Sequence, residues 1–392
     1  MIGRPLAAHS PRAVREVLLR YGWDETRADA AAGSVEPVAV LLEQLPESCI
    51  EALVGFNRKL GLDILTGEGW VLLAGSRSRL AAFARPWVLP PELVELATAI
   101  GLALPGERVC HWQTARGAVP LDRPVLLGVL NLTPDSFSDG GRYLPVDAAL
   151  AQADLLLEAG ADLLDLGGES TRPGAEPVPV EEEIRRVIPV VQAIVRRHPE
   201  VRVSIDTVKS EVAARAVEAG AAIINDVSGF RLDPSMGGVA AHSGAGVILM
   251  HSRGGVADMA SMAHADYGSD LVGAVAGELR VSLETAMKAG VVPDCIVLDP
   301  GLGFSKTAEQ SLELLDQVGS LTSLNRPLLV GPSRKRFLGV ASGRPVEDRD
   351  RATATACVMA FDRGVQLFRV HNAGLTREAL DVARAVRGEG ST

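Results

Sequence analysis

From about residue 124 the chain repeats one pattern: a short apolar run, a polar loop, then an amphipathic stretch that ends at glycine. The runs are VLLGVLNL (125–132), DLLDLGG (162–168), VRVSID (201–206), AAIINDV (221–227), AGVILMH (245–251), CIVLDPG (295–301), PLLVGPS (327–333) and VQLFRVH (365–371). With little alternation of apolar and polar positions, they read as strands buried on both faces, which a parallel sheet covered by helices requires. Val146, Ala149, Leu150, Ala153 and Leu157 share one face of the helix expected after the first run. Gly160 supplies the left-handed residue that ends it, and Gly220, Gly290 and Gly364 end later helices in the same way. Eight strand–helix units predict a closed (β/α)8 TIM barrel, for which about 250 residues is typical. An open doubly wound sheet is the alternative, but no GxGxxG follows the first strand.

The first hundred residues read differently. Helical patterns around PRAVREVLLRYGW, VEPVAVLLEQLP, ESCIEALVGFNRKLG and PPELVELATAIG surround candidate strands LDILTGE and GWVLLAGS. They predict a small α/β or mostly helical N-terminal domain, residues 1–105, of unassigned role, ahead of a catalytic barrel over 106–392. GSRSR (75–79) suits a solvated basic turn better than a phosphate site, and HWQTARGAVPL (111–121) reads as a hairpin that closes the barrel bottom.

Composition narrows the function classes. Against 49 Asp and Glu stand 39 Lys and Arg, a formal charge of −10 that disfavours a general nucleic-acid or anionic-membrane surface. Cys49, Cys110, Cys295 and Cys357 form no CxxC pair, so neither a zinc site nor a disulfide framework is expected. No apolar run approaches the roughly 18 residues of a membrane span, and the first residues lack an apolar signal core. A cytoplasmic protein acting on small molecules is the expectation.

In a barrel the active site is built from the residues just beyond the C-terminal end of each strand. Those positions hold Asn131 with the loop NLTPDSFSDGG (131–141), then Asp165, Glu169, Ser170, Thr171 and Arg172, Asp206, Asn225 and Asp226, His251, Asp299, Ser333, Arg334 and Lys335, and Arg369 and His371. They sort chemically. Arg172, Arg369, His371 and Asn131 are donors suited to phosphate oxygens, whereas Asp206, Asn225 and Asp299 can accept from and donate to a fused pyrimidine edge. Both sets together suggest a heterocycle carrying a phosphate or diphosphate. Lys335 is the best placed of the few lysines, and His251, closing VILMH, reads as a satisfied structural residue and not a base.

In this order, GVLNLTPDSFSDGG, DLGGESTRPGA, SIDT, IINDVSG, LMH, LDPGLGF, SRK and RVH closely resemble the dihydropteroate synthase family over roughly residues 110–388. The resemblance implies condensation of 6-hydroxymethyl-7,8-dihydropterin diphosphate with 4-aminobenzoate. By motif, Asp206, Asn225 and Asp299 would hold the pterin, Lys335 would lie beside it, and Met250 and Phe304 would wall it. Asn131, Thr171, Arg172, Arg369 and His371 match the diphosphate and Mg2+ region, and Phe137, Thr171, Pro173 and Ser333 match positions near the aminobenzoate. The loops after the first two strands would close over the diphosphate. The resemblance further implies a homodimer. Two positions depart from the family: Asn372 stands where Asp is common, and Ser252-Arg253 follows LMH. A pterin-binding methyltransferase, or a pterin-binding protein without catalysis, is the competing reading.

Overall fold

The computed structural model describes residues 18–19, 24–27, 37–57, 61–84, 93–104, 109–132, 146–170 and 177–388. Contacts divide the chain into two units, Met1–Glu107 and Arg108–Thr392. In the first, β1 (Pro37–Glu43), α1 (Glu47–Asn57), β2 (Asp63–Gly67), β3 (Trp70–Ser76), α2 (Arg77–Phe83) and α3 (Val94–Ala103) follow one another. The strands form an antiparallel sheet ordered β1-β3-β2. One expectation is corrected here, because VEPVAVLLEQLP contributes a strand and not a helix. Val40 and Leu42 are buried while Leu41 between them is 52% exposed, the period of two that a sheet covered on one face imposes. Every residue of β1 pairs with β3, from Pro37 opposite Ser76 to Glu43 opposite Trp70. The helix expected at PRAVREVLLRYGW falls almost wholly outside the described residues. Within GSRSR, Arg79 donates to the Gly61 carbonyl at 2.8 Å, a structural brace.

The second unit opens with a hairpin, β4 (His111–Trp112) and β5 (Val119–Pro120). Eight parallel strands follow: β6 (Val125–Asn131), β7 (Leu163–Gly167), β8 (Arg202–Asp206), β9 (Ile223–Asp226), β10 (Gly246–Met250), β11 (Ile296–Asp299), β12 (Leu329–Val330) and β13 (Leu367–Val370). Around them lie α4 (Val146–Glu158), α5 (Val180–Arg197), α6 (Ser210–Glu218), α7 (Met236–Ser243), α8 (Leu271–Lys288), α9 (Ala308–Asp316), α10 (Arg336–Ser342), α11 (Asp350–Asp362) and α12 (Ala373–Arg387). The hydrogen-bonded order is β11-β10-β9-β8-β7-β6-β13-β12. A parallel bridge between Leu298 and Leu328 joins the two ends, so the sheet closes into a barrel. Each strand lies within its apolar run. β12 is the shortest because Pro327 and Pro332, lacking N–H groups, flank it. The helix stops also fall as expected: Gly160, Gly220, Gly290 and Gly364 all take positive φ, between 94° and 110°.

The hairpin blocks one end of the barrel. Trp112 is fully buried among Val119, Leu163, Ile223, Val297 and Leu367, and its indole N–H donates to the Cys295 carbonyl at 2.8 Å. Sealing the N-terminal end leaves the C-terminal rim as the place where polar side chains can converge on a ligand.

Candidate active site

At that rim an ion network joins three strands. Arg369 on β13 donates from Nε to Asp165 Oδ2 on β7 at 2.5 Å and from Nη2 to Asp206 Oδ2 at the end of β8 at 2.7 Å. Asn225 Nδ2, on β9, donates to the same Asp165 oxygen at 3.2 Å. Asp165 is wholly buried, and its other oxygen has no hydrogen-bond partner among the described residues. Burial opposes the charge on Arg369, but Asp165 and Asp206 outweigh it and raise its pKa. Burial also pushes the Asp206 carboxyl up to about 7, against the pull of Arg369 and with Asp165, Glu183 and Asp226 adding to the rise. Arg369 therefore presents two of its nitrogens to carboxylates, an arrangement that its motif alone did not disclose.

Across the rim, Asp299 ends β11 and leads into the turn beyond it. Its Oδ1 accepts from the Gly301 N–H at 2.7 Å, and burial raises its pKa although Lys335 opposes the shift. Lys335 donates to the Leu302 carbonyl and sits 4.2 Å over the Phe304 ring. Burial brings its ammonium down to about 8, with Asp299 and Asp206 pulling it back up and Arg369 pushing it down. Lys335 thus feels the charges of Asp299, Arg369 and Asp206, which ties the two sides of the rim together. Met250 and Phe304 share an apolar cluster with Val208, Val227 and Met259 beside it. The turn depends on glycine: Gly301 has φ of 68°, and a Cβ there would lie 2.0 Å from the His251 carbonyl oxygen.

The SRK turn after β12 is held from outside. Arg334, at φ of 58°, is clamped by both carboxylate oxygens of Asp350, at 2.7 and 2.9 Å. Ser333 Oγ accepts from the His371 backbone N–H at 3.2 Å and lies 2.9 Å from His371 Nδ1. By giving its own proton to Nδ1, that hydroxyl would leave His371 with an Nε2–H donor suited to a phosphate oxygen. Asn372 caps α12 by accepting from the Leu375 N–H at 3.1 Å, and its amide donates to Asp350 at 3.1 Å. Beside Asp350 an amide can donate where a second carboxylate would repel. Asn131 ends β6 half-buried. Phe137, Thr171, Arg172 and Pro173, with both loops expected to close, lie outside the described residues.

The other departure is also built in. Ser252 donates to the Val227 carbonyl at 2.7 Å, while Arg253 forks onto Glu278 of α8 and lies 3.9 Å over the Tyr267 ring. Glu169 and Lys209, though at strand ends, pair with each other at 3.1 Å, and Lys209 also meets buried Glu183 at 2.5 Å. Asp226 accepts from the Ser228 N–H at 2.7 Å and from its hydroxyl at 2.6 Å, so it shapes its own turn. Asp165 and Lys306 are absent from the motif-based set. Asp165 did carry a signal, as a lone carboxylate in the middle of an apolar strand.

A closed barrel that gathers carboxylates, an amide and two cations at one rim has the equipment to hold a polar heterocycle. A family model described as "Pterin binding enzyme" matches residues 127–371, and the chain belongs to that family. Similar proteins within the family include dihydropteroate synthases. That of Synechocystis sp. is 43% identical over 265 residues, which cover 67% of this chain and 90% of the relative. The structure of Xanthomonas albilineans dihydropteroate synthase with 4-aminobenzoic acid matches with a TM-score of 0.64 and 43% identity, covering 69% of this chain and 95% of that one. The same enzyme in complex with 7,8-dihydropteroate matches with a TM-score of 0.61 and 40% identity, over 69% and 96% of the two chains.

Proposed function

We infer that this chain is a dihydropteroate synthase, a transferase that condenses 6-hydroxymethyl-7,8-dihydropterin diphosphate with 4-aminobenzoate in folate synthesis. The observation that carries the reading is the junction of Arg369 with Asp165 and Asp206, beside Asn225, at the rim that also holds Asp299 and Lys335.

In the reaction, the bond between the pterin methylene carbon and the diphosphate oxygen breaks, and its electron pair leaves with the diphosphate. The amine lone pair of aminobenzoate forms the C–N bond, and the amine proton is lost afterwards. An electron-rich dihydropterin can delocalise the cation left on the methylene, so no strong general base is needed. Asn225 and Asp299 hold the ring, Asp206 and Asp299 favour its positive charge, and Met250 and Phe304 wall it. Lys335 lies against the ring, and Arg369 and His371 take the developing charge on the leaving group. Each such preorganised contact is worth about 3 to 4 kcal/mol in the transition state. Ser333, Phe137, Thr171 and Pro173 are assigned to the aminobenzoate side, and Arg172 to the diphosphate.

Mg2+ belongs to this reading. Among the described residues no cluster of three His, Cys, Asp or Glu forms a metal cage. Mg2+ is usually held by one or two protein oxygens together with substrate phosphates and water. Asn131 would supply the oxygen, and the bound ion would neutralise charge on the diphosphate. Pyrophosphate release from the dihydropterin diphosphate should require 4-aminobenzoate and should collapse when a chelator removes Mg2+. Release that is indifferent to aminobenzoate would overturn the activity.

The charge states fix a pH profile. Asp206 must be ionised, so activity rises as pH passes its value of about 7. Lys335 must be protonated, so activity falls as pH passes about 8. A narrow bell in kcat/KM is expected, its two limbs belonging to the coupled site. Asp206→Asn should flatten the acid limb, and an unchanged limb would remove Asp206 from that role.

We take the protein to be a cytoplasmic homodimer. Val382 and Val386, 61% and 76% exposed on α12, offer apolar surface for a second copy. A solution mass of twice 41.2 kDa is the expected result, and a monomer would contradict it. No helix among the described residues is long and apolar enough to cross a membrane.

A further inference from the structure

Lys306 follows the turn that leads out of β11 after Asp299. It is only 3% exposed, and among the described residues its hydrogen bonds go to no carboxylate. Its ammonium instead meets three neutral acceptors: His251 Nδ1 at 2.9 Å, the Phe304 carbonyl at 3.1 Å and the Gly301 carbonyl at 3.2 Å. Three donors meet three acceptors. An ammonium has no acceptor capacity, so Nδ1 of His251 accepts and Nε2–H points at Glu278 Oε2, 3.1 Å away. Glu278 is anchored in turn by Arg253 at 3.0 Å.

Burying an ammonium with no counter-ion in hydrogen-bond reach among the described residues is costly, and burial brings this one down to about 7, so the arrangement needs a return on that cost. The Gly301 residue that Lys306 grips by its carbonyl also donates its N–H to Asp299, and the next carbonyl, of Leu302, receives Lys335. The turn is therefore threaded between two lysines. Lys335 holds it by Leu302, and Lys306 holds it by Gly301 and Phe304.

Resting on the pterin reading of the site, we propose that Lys306 is a positioning residue of the pterin site. Oriented by His251 and, through it, by Glu278, it fixes the 301–304 turn that sets the Asp299 carboxylate and the Lys335 ammonium against the ring. Aminobenzoate is handled by other residues, so the effect is confined to one substrate.

The test uses the full chain as Lys306→Met and as Glu278→Ala, whose half-exposed position tolerates truncation. Calorimetry with 6-hydroxymethylpterin gives the pterin Kd, the assay at saturating pterin diphosphate gives the aminobenzoate KM, and a melt reports folding. Lys306→Met is expected to weaken pterin binding about 10- to 100-fold, the scale of losing hydrogen bonds from a charged donor, with the aminobenzoate KM within about twofold of wild type. Glu278→Ala should weaken pterin binding by about threefold or more. A merely structural lysine would lower the melting temperature and leave the Kd of the folded protein unchanged. Folded Lys306→Met with a Kd within about twofold of wild type overturns the proposal. Where that variant does not fold, an unchanged Kd in Glu278→Ala overturns it. Wild-type protein that binds no pterin would contradict the substrate reading itself, a separate result.

Discussion

Arg369→Ala is expected to lose both turnover and stability. The wild-type guanidinium forks between Asp165, which is fully buried, and Asp206, whose side chain is 14% exposed. Removing one partner of a buried ion pair leaves uncompensated charge and typically costs about 3 to 5 kcal/mol. Asp206, already raised to about 7 with Arg369 pulling against the rise, would climb further and stand protonated at neutral pH. The variant would then lack both the cation for the leaving group and a carboxylate for the pterin cation. A fall in kcat/KM of about 10³-fold or more is the expected result, given about 10² to 10³ for one preorganised donor alone. Arg369→Lys restores a charge but not the planar fork, so it should recover part of the stability and little of the activity. Urea unfolding alongside the pyrophosphate assay checks both. Near wild-type values in either would show that the network does not have the role assigned to it.

Lys335→Met should separate activity from stability. Its ammonium is desolvated enough that burial lowers it to about 8, so the folded protein carries a cost for keeping it charged there. Methionine preserves much of the packing against Phe304, and α10, whose N-cap backbone Lys335 forms, needs no lysine side chain. Thermal stability should therefore hold or rise slightly, while kcat/KM falls about 10²- to 10³-fold. Opposite signs in the two measurements mark a charge kept for the ligand. Strong turnover by both Lys335→Met and Arg369→Ala would remove the site assignment.

The barrel was legible because its strands are mostly apolar and most of its helices end at a residue that only glycine occupies cheaply. Gly160 and Gly364 could be placed at helix ends from pattern alone, and both take positive φ. β1 was not legible. PVAVLLE carries apolar residues at almost every position, so the helical and strand periods both fit, and pairing with β3 decided between them. In the site, the separate residues could be read from strand ends, but not who pairs with whom. Arg369 and Asp165 are 204 residues apart, and nothing local in RVH shows that its arginine answers two carboxylates. Asn372 looked like a loss, yet the Asp350 carboxylate that makes an amide suitable comes from a different helix. Glu278 gave no signal, being one acid on an otherwise ordinary helix, and only the position of His251 gives it meaning.

The most direct test is a crystal structure of this chain grown with 7,8-dihydropteroate. The pterin ring should lie at the C-terminal rim, hydrogen-bonded by Asn225 and Asp299, with the Lys335 ammonium against it and Asp206 and Arg369 within reach of its edge. Ligand bound elsewhere on the chain, or bound at the rim without touching those side chains, would contradict the account.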